Sequence, residues 1–293
     1  MKYRFIHQHR FEHRVWKLCL VLKVSRSGYY RWLKAPISKR TKSNERLLKA
    51  IRDIHSDTDM ESYGSPRVAN ELRNRGFNCS KPRVARLMRD NGIRAKIKRK
   101  FKVTTNSNHT KKRSPNLLEQ KFTVIAPHEI WVSDLTYIRT GEGWLYLTAI
   151  MDLFDRRIVG WSMSERMHSK VTAEKALHQA WLRERPSKQL IFHSDQGVQY
   201  ATDDFRKALS QYSFVQSMGG KGNCYDNAVA ESFFKTLKTE LVYKSYYRTR
   251  IEARQSIFRY IETFYNRRRQ HSFLDYMSPE MFRNAFFDIK NAA

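Results

Sequence analysis

Three carboxylates carry the strongest chemical signal in this chain. Asp134 ends the short apolar run Trp131-Val132-Ser133, and Asp195 ends the run Leu190-Ile191-Phe192-His193-Ser194. Glu231 lies inside a helical pattern that starts near Asp226, with 60 residues between the two aspartates and 35 between Asp195 and Glu231. Carboxylates on two adjacent strands and a neighbouring helix can converge on one point, and oxygen-rich sites of that kind hold Mg²⁺ or Mn²⁺. Without metal the cluster would repel itself and raise its own pKa values, so it makes sense chiefly with cations present. Two divalent ions ~3.5–4 Å apart serve phosphodiester transfer, one at the attacking and one at the leaving oxygen. The expectation is a two-metal phosphoryl-transfer site on DNA. Asp134, Asp195 and Glu231 are its catalytic and metal-binding residues, with Asp195 bridging or between the ions. Each acid taken alone reads equally well as a turn former or helix cap; the three together carry the signal.

Around this triad, Glu231, Lys235 and Lys238 are spaced i, i+4 and i+7 and share one helix face. Both ammoniums then project near the carboxylates, where they can hold a phosphate. Lys238 is the stronger DNA contact, since Lys235 also reads as an internal Glu–Lys pair. The run Met218-Gly219-Gly220-Lys221-Gly222-Asn223-Cys224 is glycine-rich and cationic but fails the P-loop spacing, so Lys221 is placed on a substrate loop. His193 precedes Asp195 by two residues and points to the same side of the strand. It is either an auxiliary group for a phosphate or metal-bound water, or a core histidine. Asp152 and Asp155 fit a turn after the second strand better than a metal site. His7, His9 and His13 have no paired cysteine to complete a tetrahedral set, and no zinc is assigned.

The elements that must position these residues follow from periodicity. Ile130–Arg139 and Trp144–Asp152 are strand-like and flank Thr140-Gly141-Glu142-Gly143, a hairpin connection. Further strands are expected at 156–163, 190–193 and 213–217, and helices at 170–185, 202–211, 227–243 and 251–268. The order β-β-β-α-β-α-β-α is an antiparallel meander continuing into a mixed five-stranded sheet with flanking helices. Upstream the chain reads as all-α. Residues 11–34 suggest helix, turn, helix; Asn44–His55 has a helical apolar stripe; Ser65-Pro66 opens a helix that Gly76 stops. Ser80 opens another, ended by Gly92, carrying Arg83, Arg86 and Arg89 along one flank. A helix so charged suits phosphates or a major groove, although a hairpin with solvated arginines explains it too.

Charge divides the chain. Residues 1–115 hold 31 Lys and Arg against 8 Asp and Glu, whereas residues 116–293 hold 25 against 20, within a total of +28. A basic front before a nearly balanced back suggests a polyanion grip joined to a working domain. Between them, residues 94–113 contain Lys98, Arg99 and Lys100 among nine basic and no acidic residues, a linker able to order along a DNA backbone. Cys19, Cys79 and Cys224 form no CxxC pair or disulfide framework, and no apolar run approaches the ~20 residues of a membrane span. The expectation is a cytoplasmic, nucleoid-associated protein without membrane contact. Its domains are a helical segment at 1–40, a helix-turn-helix-like domain at 41–93, a basic linker at 94–121, a catalytic core at 122–270 and a tail at 271–293.

Trp131-Val132-Ser133-Asp134-Leu135-Thr136-Tyr137, His193-Ser194-Asp195-Gln196-Gly197-Val198-Gln199-Tyr200 and Gly222-Asn223-Cys224-Tyr225-Asp226-Asn227-Ala228 through Glu231-Ser232-Phe233-Phe234 resemble the DDE transposases of bacterial insertion sequences. The nearest group is the OrfB products of the insertion sequences numbered three, related to retroviral integrases. The 35-residue interval, Lys238 seven past the glutamate, Tyr265-Asn266-Arg267 with Arg269 and His271-Ser272, and Tyr63-Gly64-Ser65-Pro66-Arg67-Val68 fit the same pattern. The resemblance implies an RNase H-like core and a metal-bound Asp134–Asp195–Glu231 triad. It implies strand transfer in which a 3′-hydroxyl attacks a phosphodiester without a covalent enzyme intermediate. The partners implied are terminal repeats and target DNA, a homo-oligomer on that DNA, and an OrfA-type partner or fusion. Two other readings stay open: a structure-selective nuclease with the same metals, and a non-catalytic DNA-binding regulator.

Overall fold

The computed structural model describes residues 2–34, 39–96, 114–119, 122–187, 189–220 and 227–292. Lys98, Arg99 and Lys100 of the linker and Lys221 of the glycine-rich loop lie outside the described residues. The chain divides into two compact units, one of residues 1–57 with 68–94 and one of residues 58–67 with 95–293. Among the described residues no helix is long and apolar enough to cross a membrane.

In the first unit α1 (Lys2–Gln8), α2 (Val15–Val21) and α3 (Arg26–Lys34) close on Ile6, Cys19 and Tyr29. The amphipathic run expected from Phe11 becomes helical only at Val15, and Phe11 stays in solvent with the Arg10 guanidinium over its ring. Next come α4 (Lys39–Ser56), α5 (Ser65–Asn74) and α6 (Lys81–Asp90). Each buries a stripe at helical spacing: Leu47, Ile51 and Ile54; Val68 and Leu72; Val84 and Met88. Pro66 sits in the first turn of α5, where its missing N–H costs nothing.

The second unit is built on a five-stranded sheet. Its strands are β1 (Ile130–Thr140), β2 (Gly143–Asp152), β3 (Ile158–Ser164), β4 (Ile191–Ser194) and β5 (Val215–Met218), in the order β3-β2-β1-β4-β5. The first three pair antiparallel, while β4 runs parallel to β1 and β5 parallel to β4. This is the RNase H-like mixed sheet that the sequence predicts. α7 (Ala173–Glu184) and α8 (Asp203–Gln211) pack over Trp131, Ile150, Val159 and Phe192. Gly160 lets α7 approach β3 closely: a Cβ there would lie 2.5 Å from the Ala176 carbonyl oxygen. α9 (Ala228–Glu240) buries Phe233, Phe234 and Leu237.

Two elements depart from the sequence expectation. The helix expected at 251–268 is α10 (Arg250–Arg259) followed by a π-helical stretch, Tyr260–Tyr265. That stretch delivers Asn266 to β3, where its side chain accepts from the Ile158 N–H (2.9 Å) and donates to the Ile158 carbonyl (3.0 Å). The segment expected as a tail ends in α11 (Pro279–Ala292), and it is part of the packed unit. Phe282 and Phe286 pack on Phe154, and buried Arg283 reaches Asp155, Glu184 and, at 3.3 Å, Asp152. Asp152 and Asp155 are wholly buried here, which gives them a structural role at the end of β2.

The C-terminal end of α9 is held by a buried charge network. Glu240 accepts two 2.8 Å hydrogen bonds from Arg269, one of 2.7 Å from the Tyr260 hydroxyl and one of 3.3 Å from Arg67. Tyr63 accepts from the Gln270 N–H at 3.1 Å, and His271 Nε2 lies 3.1 Å from Arg269 Nη1. The Tyr63–Arg67 motif, the Glu231 helix and the Tyr265–His271 motif therefore meet at one point of the second unit. Burial acts to raise the Glu240 carboxyl, but Arg269 and Arg67 hold it below the usual carboxylate range. Removing one partner of such a pair leaves a buried charge uncompensated, a loss of about 3–5 kcal/mol. Glu240→Ala should accordingly lower the thermal midpoint by about 10 °C, measured by circular dichroism.

The same network makes a pH prediction. Burial, and then Arg269, Arg67 and Arg156, push His271 down to about 2, so it stays neutral when folded. An unfolded histidine titrates near ~6.5. Its full contribution is present above that pH. As pH falls further the unfolded chain takes up a proton that the folded chain refuses, at a cost of about 1.4 kcal/mol per pH unit. Glu184, which the His128 hydrogen bond and Arg283 hold at about 2 despite its burial, adds a loss of its own only below the carboxylate range. Between pH 6.5 and 4.5 (the ~6.5 and ~4.3 of unfolded His and Glu) His271→Gln should flatten the fall of denaturation midpoint seen in the parent protein. An unchanged slope would exclude the assignment.

Candidate active site

The register between β1 and β4 brings the two aspartates together. The parallel ladder ends with the pairs Val132↔His193 and Ser133↔Ser194, and Asp134 and Asp195 are the next residue of each chain. Neighbouring strands lie roughly 4.8 Å apart, so these two acids leave adjacent chains side by side. The sequence makes that pairing by ending two buried apolar segments, Trp131–Ser133 and Phe192–Ser194, at the same level of the sheet.

α9 supplies the third acid. Asn227, the residue before its first turn, donates to the Ser133 carbonyl oxygen at 3.3 Å, which pins the start of the helix beside Asp134. Glu231 is one turn further on, and its side chain is exposed. Lys238 lies two turns beyond, with its ammonium 5.7 Å from the centroid of the Tyr137 ring. Lys235 is exposed on the same helix.

The charges of these residues act on one another. Burial, followed by the negative charges of Asp195 and Glu231, pushes the Asp134 carboxyl well above the usual range, against the Leu135 N–H (2.7 Å) and Lys238. Burial and Asp195 likewise raise Glu231. Burial lowers Lys238, and Asp134 opposes that shift. The structure thus sets the three acids and Lys238 within electrostatic reach. Among the described residues, however, no group of three or more His, Cys, Asp or Glu side chains stands close enough to hold a metal ion as placed. Attraction and repulsion reach further than ligation, which for Mg²⁺ needs oxygens at roughly 2.0–2.1 Å.

His193 is fully buried, and its Nδ1 lies 2.8 Å from the Ser217 hydroxyl on β5, across the pair His193↔Ser217. Its position is that of a core histidine beneath the site. In the first unit Arg83 is engaged by Asn44 (2.7 and 2.9 Å) and Ser43 (2.9 Å), and so joins α6 to α4. Arg86 and Arg89 are exposed.

Sequence reading gave no role to Tyr200, which the structure sets under both aspartates. Its hydroxyl is 2.8 Å from Ser133 Oγ, and burial together with Asp134 and Asp195 raises its pKa well above the phenol range. The Gly197 N–H donates to Asp195 Oδ1 at 3.0 Å, and Gln196 donates to the Gly219 carbonyl at 2.8 Å. The available signal was the compact run Asp195–Tyr200, whose spacing folds back under its own first residue.

Family models described as "Integrase core domain" match residues 125–224 and 231–287, and one described as "HTH-like domain" matches residues 42–101. The chain is 46% identical over 272 residues to the "Insertion element IS600 uncharacterized 31 kDa protein" of Shigella sonnei, covering 93% of this chain and 99% of that one. It is 40% identical over 286 residues to "Transposase InsF for insertion sequence IS3A" of Escherichia coli (strain K12), covering 97% and 99%. Among solved structures it is similar to the catalytic core domain of HTLV-2 integrase, a structure in complex with magnesium, with 17% identity, a TM-score of 0.43, and coverage of 55% of this chain and 99% of that one. With relatives matched over nearly their whole length and an integrase core joined to a helix-turn-helix-like domain, the chain belongs to the IS3 family of insertion-sequence transposases.

Proposed function

We propose that this transposase cuts and joins DNA at the ends of its element by a metal-dependent DDE mechanism, with Asp134, Asp195 and Glu231 as the acids. The observation that supports this reading is the β1–β4 register, whose last pair, Ser133↔Ser194, comes one residue before each aspartate, with Asn227 at the start of α9 bonded to Ser133. Asp195 raises the pKa of both Asp134 and Glu231, and carboxylates set this near one another are a donor set suited to hard divalent cations, Mg²⁺ or Mn²⁺. Two such ions held by these side chains would polarise the phosphodiester and sharpen the attacking oxygen. Exposed Glu231 is the ligand free to swing toward the two aspartates.

The protein's own groups do the positioning. Lys238 holds a phosphate of the substrate strand beside Asp134, with Lys235 further along the helix. A 3′-hydroxyl bonds to phosphorus as the bond to the leaving 3′-oxygen breaks, so one phosphodiester replaces another and no enzyme ester forms. Arg86 and Arg89, with Lys98, Arg99, Lys100 and Lys221, grip the DNA backbone. Terminal repeats and target DNA are the substrates, and a homo-oligomer with an OrfA-type partner or fusion is the working form.

Asp195→Asn should abolish both cleavage and joining of element-end DNA in Mg²⁺ while leaving DNA affinity within about twofold, because its loss removes a ligand and no base contact. Joined products from the parent protein are expected; hydrolysis without joining would identify a nuclease, and binding with no reaction a regulator. Chelation of divalent ions should stop the reaction and added Mg²⁺ restore it. Lys238→Ala should reduce the slope of log affinity against log salt by about one, as for a single lost phosphate contact.

A further inference from the structure

The face of the sheet that carries Trp131 is covered at one end and open at the other. Through the β1–β2 register this face bears Trp131, Ser133, Leu135, Tyr137 and Arg139 opposite Asp152, Ile150, Thr148, Tyr146 and Trp144. α7 and α8 bury the Trp131 and Ile150 end. At the other end Trp144 is 46% exposed, Arg139 is exposed, and Tyr137 and Tyr146 are half-buried. Tyr137 and Trp144 meet edge to face at 5.1 Å and 79°.

This aromatic end is rigid and cationic. The Gly141 N–H donates to the Tyr247 carbonyl at 2.9 Å, and a Cβ on Gly141 would lie 2.4 Å from the Arg248 carbonyl oxygen, so the hairpin tip is pressed onto the chain before α10. The Arg250 N–H donates to Glu142 at 2.8 Å, and its guanidinium reaches the Trp144 carbonyl (3.3 Å) and Glu165 (3.1 Å). The nearby acids Glu142 and Glu165 are thus already partnered by Arg250. Lys238 stands over Tyr137, and Arg139 is the register partner of Trp144.

We propose that Tyr137 and Trp144 form a stacking subsite for one unpaired nucleobase of the DNA strand whose phosphates lie along Lys238 and Arg139. This rests on the catalytic reading of the neighbouring acids. An indole and a phenol held open beside two cations match a single-stranded nucleotide, which offers a flat base face and a phosphate together. A fully paired duplex keeps its base faces stacked and gives no partner to the rings.

The test uses the full chain in chelator, so that no strand chemistry runs, with duplexes carrying 2-aminopurine either in a short single-stranded 3′ tail or within a blunt end. The tailed duplex should be quenched on binding and the blunt one not. Trp144→Ala and Tyr137→Ala should each lose the quench and weaken tailed-duplex binding roughly tenfold, leaving blunt-duplex binding unchanged, while Trp144→Phe retains both. Photocrosslinking of a 5-iodouracil tail to the parent protein should map to Tyr137 or Trp144, a readout independent of whether the alanine variants fold. Equal quenching by parent and alanine variants, or a crosslink mapping elsewhere, would overturn the subsite. So would indifference of the parent protein to the tail, as expected if these rings meet a protein. Asp195→Asn should keep the quench. If the parent protein joins no ends in Mg²⁺ yet quenches through Trp144, the catalytic reading fails and the subsite stands.

Discussion

Electrostatic repulsion between Asp134 and Asp195 is the constraint around which the catalytic unit is organised. Parallel pairing of β1 with β4 ends at Ser133↔Ser194, one residue before each acid. Burial then disfavours the ionised form of Asp134, and Glu231 adds a third negative charge. The Leu135 N–H and Lys238 act against that shift at Asp134, and the Gly197 N–H donates to Asp195.

Holding α9 at both ends is the complementary requirement. Asn227 fixes its start to the β1 backbone, and Glu240 fixes its end through Arg269, Arg67 and Tyr260. Between those anchors Phe233, Phe234 and Leu237 face the core, while Glu231 and Lys235 remain exposed. The helix is thus fixed as a rod while its working side chains keep rotational freedom. Two motifs far apart in sequence, around Tyr63 and around Tyr265, supply the distal anchor, which accounts for their place in the pattern.

Much of this was legible beforehand, for identifiable reasons. The strands showed because both their alternation and their buried runs are local, and Asp134 and Asp195 stood out because each ends such a run. The resemblance to integrases and transposases then fixed the RNase H-like arrangement. What stayed hidden depends on partners remote in sequence. Arg283 reads as one more basic residue near the end of the chain, and only its burial against Asp152, Asp155 and Glu184 turns an apparent tail into core. Arg83 has helical spacing with Arg86 and Arg89, yet Asn44 takes its guanidinium. His193 kept two readings because strand alternation does not report depth, and the Ser217 partner lies on a strand 24 residues away. The π-helical stretch has no periodic signature distinct from a helix.

The embrace of Arg283 by three acids has a temporal consequence during synthesis. Asp152 and Arg283 are 131 residues apart, so at about 5–20 residues per second the acids wait roughly 7–26 s on the ribosome for their counterion. Until then Asp152 and Asp155 lack that guanidinium, although Glu184 already has His128 and Arg157 beside it. Closure of the corner where β2 ends is deferred to the emergence of α11.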